Sequence, residues 1–123
     1  MAYDEELADR IRLMIAPGPA LSERKMFGGL AFLIGGNMAV AASGQGGLLV
    51  RVDPREHDDL LTRDIVRPMV MGGREMVGWL RVTAEAADDD AVLREWVERG
   101  VGYARSLPPK QKPGTRRGPA DGR

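Results

Sequence analysis

The chain has 123 residues, of which 43% are hydrophobic and 29% are charged, a composition typical of one globular domain rather than of a disordered segment. It contains no cysteine and one histidine, which excludes disulfide scaffolds, thiolate metal sites, thiol nucleophiles and multi-histidine metal sites within one chain. No run reaches the ~18 consecutive apolar residues of a membrane-spanning helix, and the acidic N-terminus is unlike a signal peptide. We therefore expect a cytoplasmic protein without a membrane contact or a metal site.

The formal net charge of zero hides an uneven distribution of charge. Residues 108–123 hold five basic residues and one acid, a net charge of +4, whereas the other 107 residues hold 13 basic and 17 acidic residues, a net charge of −4. The net acidity of the main part argues against a nucleic-acid surface there. The tail is too poor in apolar residues to fold, so we expect residues 110–123 to be disordered. Its residues that could contact nucleic-acid phosphates are Lys110, Lys112, Arg116 and Arg117.

The first half of the chain predicts one helix followed by three strands. The helix covers residues 3–15, with Asp4 placed to cap it and with apolar residues spaced along one face. The strands cover residues 24–34, 38–43 and 48–52, and glycine-rich turns separate them. Because these turns are too short for crossover connections, we expect the three strands to be antiparallel.

The second half predicts a short helix, two strands and a long helix, over residues 53–61, 66–71, 78–83 and 91–106. Asp53 is placed to cap the short helix, and Pro54 suits its first position. Pro68 predicts an edge strand or a bulge. The order is therefore α-βββ-α-ββ-α, and helices on one face of an antiparallel sheet make a two-layer α+β fold.

The most distinctive segment runs from Lys25 through Met26 and Phe27 to Gly28 and Gly29. One interpretation is that the two glycines let a ligand approach the backbone, and the other is that they bend or bulge a strand. No helix follows them directly, so the segment is neither a P-loop nor a dinucleotide-binding turn. This favours the bend, and we expect no cofactor.

A second distinctive block contains Arg67, Arg74 and Trp79. The two arginines could lie near each other across a turn and bind an anion or a nucleic-acid phosphate. The alternative is that they pair at the surface with acids such as Glu75. Trp79 is expected to pack in the core.

The remaining polar residues form no catalytic pattern. His57 is expected on a solvated helix surface, because its immediate neighbours do not face it on a helix. The acids Asp58, Asp59 and Asp88 to Asp90 suit helix capping and solvation better than paired-carboxylate chemistry. No serine stands in a nucleophile elbow. We therefore expect no catalytic residues and no enzyme.

Taken together and in this order, several short motifs resemble the N-terminal domain of the TfoX/Sxy competence-regulator family. The resemblance covers about residues 3–109 and ends at a basic tail. The motifs are Lys25-Met26-Phe27-Gly28-Gly29-Leu30-Ala31-Phe32, Asn37-Met38, Leu49-Val50-Arg51-Val52, Arg67-Pro68-Met69, Met76-Val77-Gly78-Trp79, Trp96 and Ala104-Arg105-Ser106-Leu107-Pro108.

The resemblance implies an α+β fold similar to the secretion-chaperone-like class and a non-enzymatic regulatory role. The family's best-known members promote the expression of DNA-uptake genes together with a cyclic-AMP receptor protein, and they carry a second domain of helix-hairpin-helix-like character. It implies no catalytic residues that could be assigned to this chain. We expect one such domain over residues 1–109, followed by the tail.

Three functional hypotheses follow. The first is a regulatory or protein-interaction module that forms a homodimer and contacts a protein partner in transcription regulation. The second is a nucleic-acid-binding accessory protein that uses the basic tail. The third is a small-molecule binder or enzyme at Arg67 and Arg74. The candidate surface for a ligand or a partner comprises Lys25, Phe27, Gly28, Gly29, Arg67, Arg74 and Trp79.

Overall fold

A computed structural model describes residues 3–15, 20–26 and 28–109 of the chain. These residues form four α-helices, a 3-10 turn at Pro54–Glu56 that precedes α2, and six strands. In chain order the elements are α1 (Glu5–Met14), β1 (Leu21–Met26), β2 (Gly29–Ile34), β3 (Asn37–Ala42), β4 (Leu48–Arg51), α2 (His57–Leu60), β5 (Val66–Met71), β6 (Arg74–Val82), α3 (Ala84–Ala87) and α4 (Asp90–Ser106).

The six strands form one sheet in the order β1-β2-β3-β4-β6-β5, and every neighbouring pair is antiparallel. The predicted α+β class and the antiparallel start of the sheet are therefore confirmed. β5 is an edge strand whose register shifts between Pro68 and Val70, as the proline predicted.

The predicted count of five strands is wrong, because residues 24–34 form two strands rather than one. Met26 pairs with Gly29, so the chain reverses direction between them. Gly28 has a φ of +75°, a left-handed conformation that glycine adopts without strain. A Cβ atom on Gly29 would lie 2.1 Å from the carbonyl oxygen of Ala42, so glycine is needed there for close packing. The two glycines therefore make a hairpin, not a bend within one strand.

Two further boundaries differ from the prediction. β6 begins at Arg74 rather than at residue 78, and Gly78 lies inside the strand with a φ of +89°. In the sequence, a glycine at this point suggests that the strand begins after it. In the structure, the positive φ of Gly78 forms an irregular position, and β6 continues through it. The short helix α3, capped by Thr83, was not predicted.

The predicted caps of the two long helices are confirmed. The side chain of Asp4 accepts a hydrogen bond from the backbone N–H of Leu7 at 3.1 Å. The side chain of Asp89 accepts from Ala91 N at 2.8 Å and from Val92 N at 3.2 Å. Each carboxylate thus satisfies backbone donors that the first turn of a helix leaves free.

The helices α1 and α4 pack on one face of the sheet. Their apolar side chains and those of the strands form one buried cluster that includes Ile11, Phe32, Val50 and Trp96. α4 lies very close to β3 at Gly100, where a Cβ atom would lie 2.3 Å from the carbonyl oxygen of Ala39. Glycine therefore sets the distance between the helix and the sheet.

The opposite face of the sheet, which we call the open face, has a separate apolar cluster. Its buried members all come from strands, and they are Ala31, Leu33, Met38, Ala41, Leu49 and Met69. The partly buried side chains of Met26, Met76 and Trp79 pack against them. Among the described residues, only side chains of the strands belong to this cluster or pack against it. Among the described helices, none has both the length and the apolar character needed to cross a membrane.

Substituting Gly100 by alanine is expected to destabilise the protein by about 1–3 kcal/mol, because the added methyl group collides with the backbone of β3. Gly102→Ala is the matched control: it lies in the same helix, and a Cβ atom there meets no atom within 4 Å. The control should raise stability by about 0.5–1 kcal/mol through helix propensity. Urea denaturation measures both, and equal stabilities of the two variants would contradict the packing described here.

Candidate functional site

The predicted surface residues do not converge on one site. Lys25 is opposite Leu30 of the helix-side cluster, so it lies at the edge of the helix side. Trp79 is half-buried on the open face. Gly28 and Gly29 lie at the β1–β2 hairpin. Phe27 and the tail residues Lys110, Lys112, Arg116 and Arg117 lie outside the described residues.

The prediction that Arg67 and Arg74 lie close together is wrong. Arg67 is opposite Arg81, and Arg74 is opposite Met71 next to the turn of the β5–β6 hairpin. The two positions are therefore about 13 Å apart along the hairpin at ~3.3 Å per residue. Nor does either arginine pair with Glu75, whose carboxylate contacts His57 instead.

His57 is buried, with only 2% of its surface exposed, so the prediction of a solvated histidine is wrong. Its Nδ1 atom accepts a hydrogen bond from the backbone N–H of Gly78 at 3.0 Å. The hydrogen of the ring is therefore on Nε2, which donates to Oε1 of Glu75 at 3.2 Å. Both ring nitrogens are thus used to join α2 to the irregular position of β6.

The candidate acids have local structural roles. Asp53 caps the 3-10 turn by accepting from Arg55 N at 2.9 Å, and the Arg55 side chain keeps the pKa of Asp53 below its ordinary value. Asp58 and Asp59 are exposed in α2. No group of three or more His, Asp or Glu side chains that could hold a metal ion occurs in the described part of the chain.

Arginines on the helix side form ion pairs with carboxylates. Arg63 lies 2.7 Å from Glu95, Arg99 lies 2.8 Å from Glu56, and both guanidiniums stack on the buried ring of Trp96, 5.0 and 5.3 Å from its centroid. The hydrogen bond from Arg63 lowers the pKa of Glu95. Every arginine that forms an ion pair within the described residues lies on a helix or between β4 and β5. These arginines are Arg10, Arg12, Arg55, Arg63 and Arg99.

The arginines of the strands differ from those of the helix side in their ion pairs. None of their arginines forms an ion pair with a carboxylate of the described residues. These five arginines are Arg24, Arg51, Arg67, Arg74 and Arg81. Within the described residues, direct contacts with carboxylates therefore do not neutralise the positive charge of the strands, whereas they neutralise much of that on the helix side.

Three of these arginines lie in one line across the open face. Residues opposite each other on neighbouring strands share a face, and the pairings join the positions Arg24, Ala31, Ala41, Leu49, Arg81 and Arg67 in this order. We call this line the arginine row. It crosses all six strands, about 24 Å at ~4.8 Å per strand, with small or apolar residues in the middle and guanidiniums at both ends.

Arg81 and Arg67 are direct cross-strand neighbours with the same charge, an arrangement that destabilises a sheet. Arg81 donates from Nη1 to the hydroxyl of Ser43 at 2.9 Å. Arg67 donates from Nη1 to the carbonyl oxygens of Asp64 and Val66. The Nε and Nη2 donors of both side chains make no hydrogen bond within the described residues.

Sequence reasoning missed Arg24 and Arg81. Arg24 stands in a run of mixed charge, Glu23-Arg24-Lys25. Only the alternation of side chains in a strand would have placed it on the opposite face from these two neighbours. Arg81 follows Trp79 by two residues, so the same alternation places both on one face. Only the pairing of the strands, however, brings Arg24, Arg67 and Arg81 into line.

A family model described as the TfoX N-terminal domain matches residues 14–104 of the 123-residue chain. The chain therefore belongs to the TfoX N-terminal domain family, as its motifs indicated. The matched range includes all six strands and the whole arginine row. No curated protein and no solved structure matches the chain.

Replacing His57 by leucine should destabilise the protein by about 1–3 kcal/mol, because the buried N–H of Gly78 loses its acceptor. Asp58→Ala, a change at the adjacent exposed position, should stay within about 0.5 kcal/mol of wild type. Both free energies of unfolding can be measured by urea denaturation. A His57→Leu variant as stable as wild type would contradict the structural role of this ring.

The Arg63–Glu95 pair predicts a pH-dependent loss of stability. The pKa of Glu95 is below its ordinary value of 4.5 in the folded protein, so its contribution is present above that value and disappears as the pH falls through the lowered pKa. Glu95→Gln should therefore lower Tm near neutral pH and differ less from wild type near about pH 3. Glu98→Gln, an exposed control in the same helix, should show no such trend. Identical dependences of Tm on pH for both variants would contradict the predicted role of the Arg63–Glu95 pair.

Proposed function

We propose that this member of the TfoX N-terminal domain family is a cytoplasmic, non-catalytic regulatory module that acts by binding a protein partner and by pairing with a second copy of itself. The regulatory part of the proposal, including a partner in transcription regulation, is what the resemblance to the TfoX/Sxy competence regulators implies. The use of both His57 nitrogens in contacts with Gly78 and Glu75 supports the non-catalytic part. The exposed residues of the β5–β6 hairpin support the part of the proposal that concerns protein interaction.

The observation that carries the proposal is the exposed apolar surface of this hairpin. Four large hydrophobic residues are exposed in the described part of the chain, and three of them lie here: Val70, Met71 and Val77. Val70 is 55% exposed and Val77 is 61% exposed, on neighbouring strands at the end of the sheet. Exposed apolar patches of this kind are typical of protein interaction sites.

The position of the hairpin suits self-association. β5 is an edge strand, so one side of its backbone can pair with a strand of another chain. Two copies related by a twofold axis would bring the same edge and the same apolar residues together. The homodimer thus buries side chains that one chain leaves in water.

The double substitution Val70→Ser and Val77→Ser should convert a dimer into a monomer, because it removes the apolar contacts of the hairpin. Leu13→Ser is the matched control, since Leu13 is 87% exposed on α1, away from the hairpin. Size-exclusion chromatography with light scattering at high micromolar concentration measures the mass. We expect twice the chain mass for wild type and for Leu13→Ser. A wild-type monomer, or a double variant that remains dimeric, would refute this interface.

A further inference from the structure

We propose that the open face of the sheet binds single-stranded nucleic acid, with Arg24, Arg67 and Arg81 contacting its phosphates. This surface is distinct from the apolar residues of the β5–β6 hairpin and from the basic tail. It goes beyond the protein-binding role proposed above, since it names a second class of partner and the residues that bind it.

The charged residues of the strands are segregated between the two sides of the sheet. The strands contain two acids, Glu23 and Glu75, and their contacts with Arg12 of α1 and His57 of α2 place both on the helix side. The charged residues of the arginine row are all arginines. A face that is basic within a net acidic domain is complementary to a polyanion.

The guanidiniums of Arg67 and Arg81 are only partly used in hydrogen bonds within the described residues. Arg67 and Arg81 face each other across neighbouring strands, and each uses only Nη1 for a neutral partner within the described residues. A phosphate between them would accept hydrogen bonds from the remaining donors and relieve their repulsion. The side chain of Arg24, at the other end of the row, is exposed and forms no ion pair or hydrogen bond with the described residues.

The length and the shape of the arginine row suit an extended single strand. Its charged ends are about 24 Å apart at ~4.8 Å per strand, which is long enough for several phosphates of an extended strand. The next cross-strand pair is Arg51 and Trp79, and the guanidinium of Arg51 lies 5.2 Å from the centroid of the indole ring and 5.8 Å from that of the Tyr103 ring of α4. Nucleobases of single strands stack on aromatic and guanidinium planes of this kind.

A nucleic acid fits this face better than an acidic protein does. Protein interfaces depend on apolar and aromatic anchors that become buried on binding. In the middle of the row, Ala31, Ala41 and Leu49 are already buried within one chain. The row therefore offers guanidiniums, which contact phosphates, but little apolar area that a protein partner could cover.

The test is the salt dependence of binding to a labelled 12-nucleotide single-stranded DNA of mixed sequence, measured by fluorescence anisotropy with the full chain. We expect binding at low salt. The double substitution R67Q/R81Q should reduce the slope of log K against log salt by about 1.4, at ~0.7 per phosphate contact. Adding R24Q should reduce it by about 0.7 more.

The matched control is R94Q/R105Q, which removes two exposed arginines of α4 and changes the net charge equally. It should leave the slope unchanged. A tail variant, K110Q/K112Q/R116Q/R117Q, separates the two basic regions: the effect of R67Q/R81Q should persist in it. The proposal is overturned if wild type does not bind, if the control has the same effect, or if only the tail variant changes the slope.

Two further measurements complete the test. Poly-glutamate should compete poorly with the oligonucleotide; if it binds more tightly, and through Arg67 and Arg81, the surface binds an acidic protein instead.

The R67Q/R81Q variant should retain the denaturation midpoint of wild type, because it removes two like charges from adjacent strands. If R67Q/R81Q does not fold, the test uses R24Q alone, on the opposite edge strand. An unchanged slope of log K against log salt for R24Q would then refute the proposal.

Discussion

The contact between Gly100 of α4 and Ala39 of β3 sets how closely the long helix packs on one face of the sheet. The helix approaches the strand so closely that a Cβ atom would lie 2.3 Å from the carbonyl oxygen of Ala39. With α4 in this position, Trp96 is buried against the sheet, and α1 packs beside α4 on the same face. Because both long helices cover one face, the buried cluster of the other face is formed by strand residues alone.

This arrangement also separates the charges. On the helix side, Glu95 bonds with Arg63 and Arg99, and those arginines stack on the ring of Trp96, so their charges stabilise the packing of α4. On the open face no acid enters the arginine row. The zero net charge of the whole chain and the net acidity of its folded part therefore give no information about the sign of the charge on either side. Net charge is a sum over all residues, whereas binding of a polyanion depends on how the charge is distributed over the surface.

Much of the fold could be predicted because it is encoded locally. Asp4 and Asp89 cap helices, glycine pairs mark turns, and Pro68 marks an edge strand; each of these signals acts within a few residues. The errors have a common cause, which is that long-range packing decides the outcome. Gly29 is required by Ala42 of another strand, and Gly78 has a positive φ inside a strand that its sequence pattern does not show.

The candidate site was harder to predict for the same reason. His57 stands among exposed acids in the sequence, and only the approach of β6 buries it and provides Gly78 as its partner. Arg67 was recognised from its motif, but its neighbour is Arg81 rather than Arg74, because register and not sequence distance determines cross-strand pairs. Arg24 joins them from the far edge of the sheet through five successive pairings. No local pattern contains that information.

The most direct test of the account is an NMR titration of the full chain with a single-stranded oligonucleotide, followed through the side-chain Nε–Hε signals of its arginines. The account predicts that the signals of Arg24, Arg67 and Arg81 shift together in proportion to the bound fraction. Those of Arg12, Arg63 and Arg99, which are paired with carboxylates on the helix side, should remain in place. Shifts confined to the helix-side arginines or to the tail would contradict it.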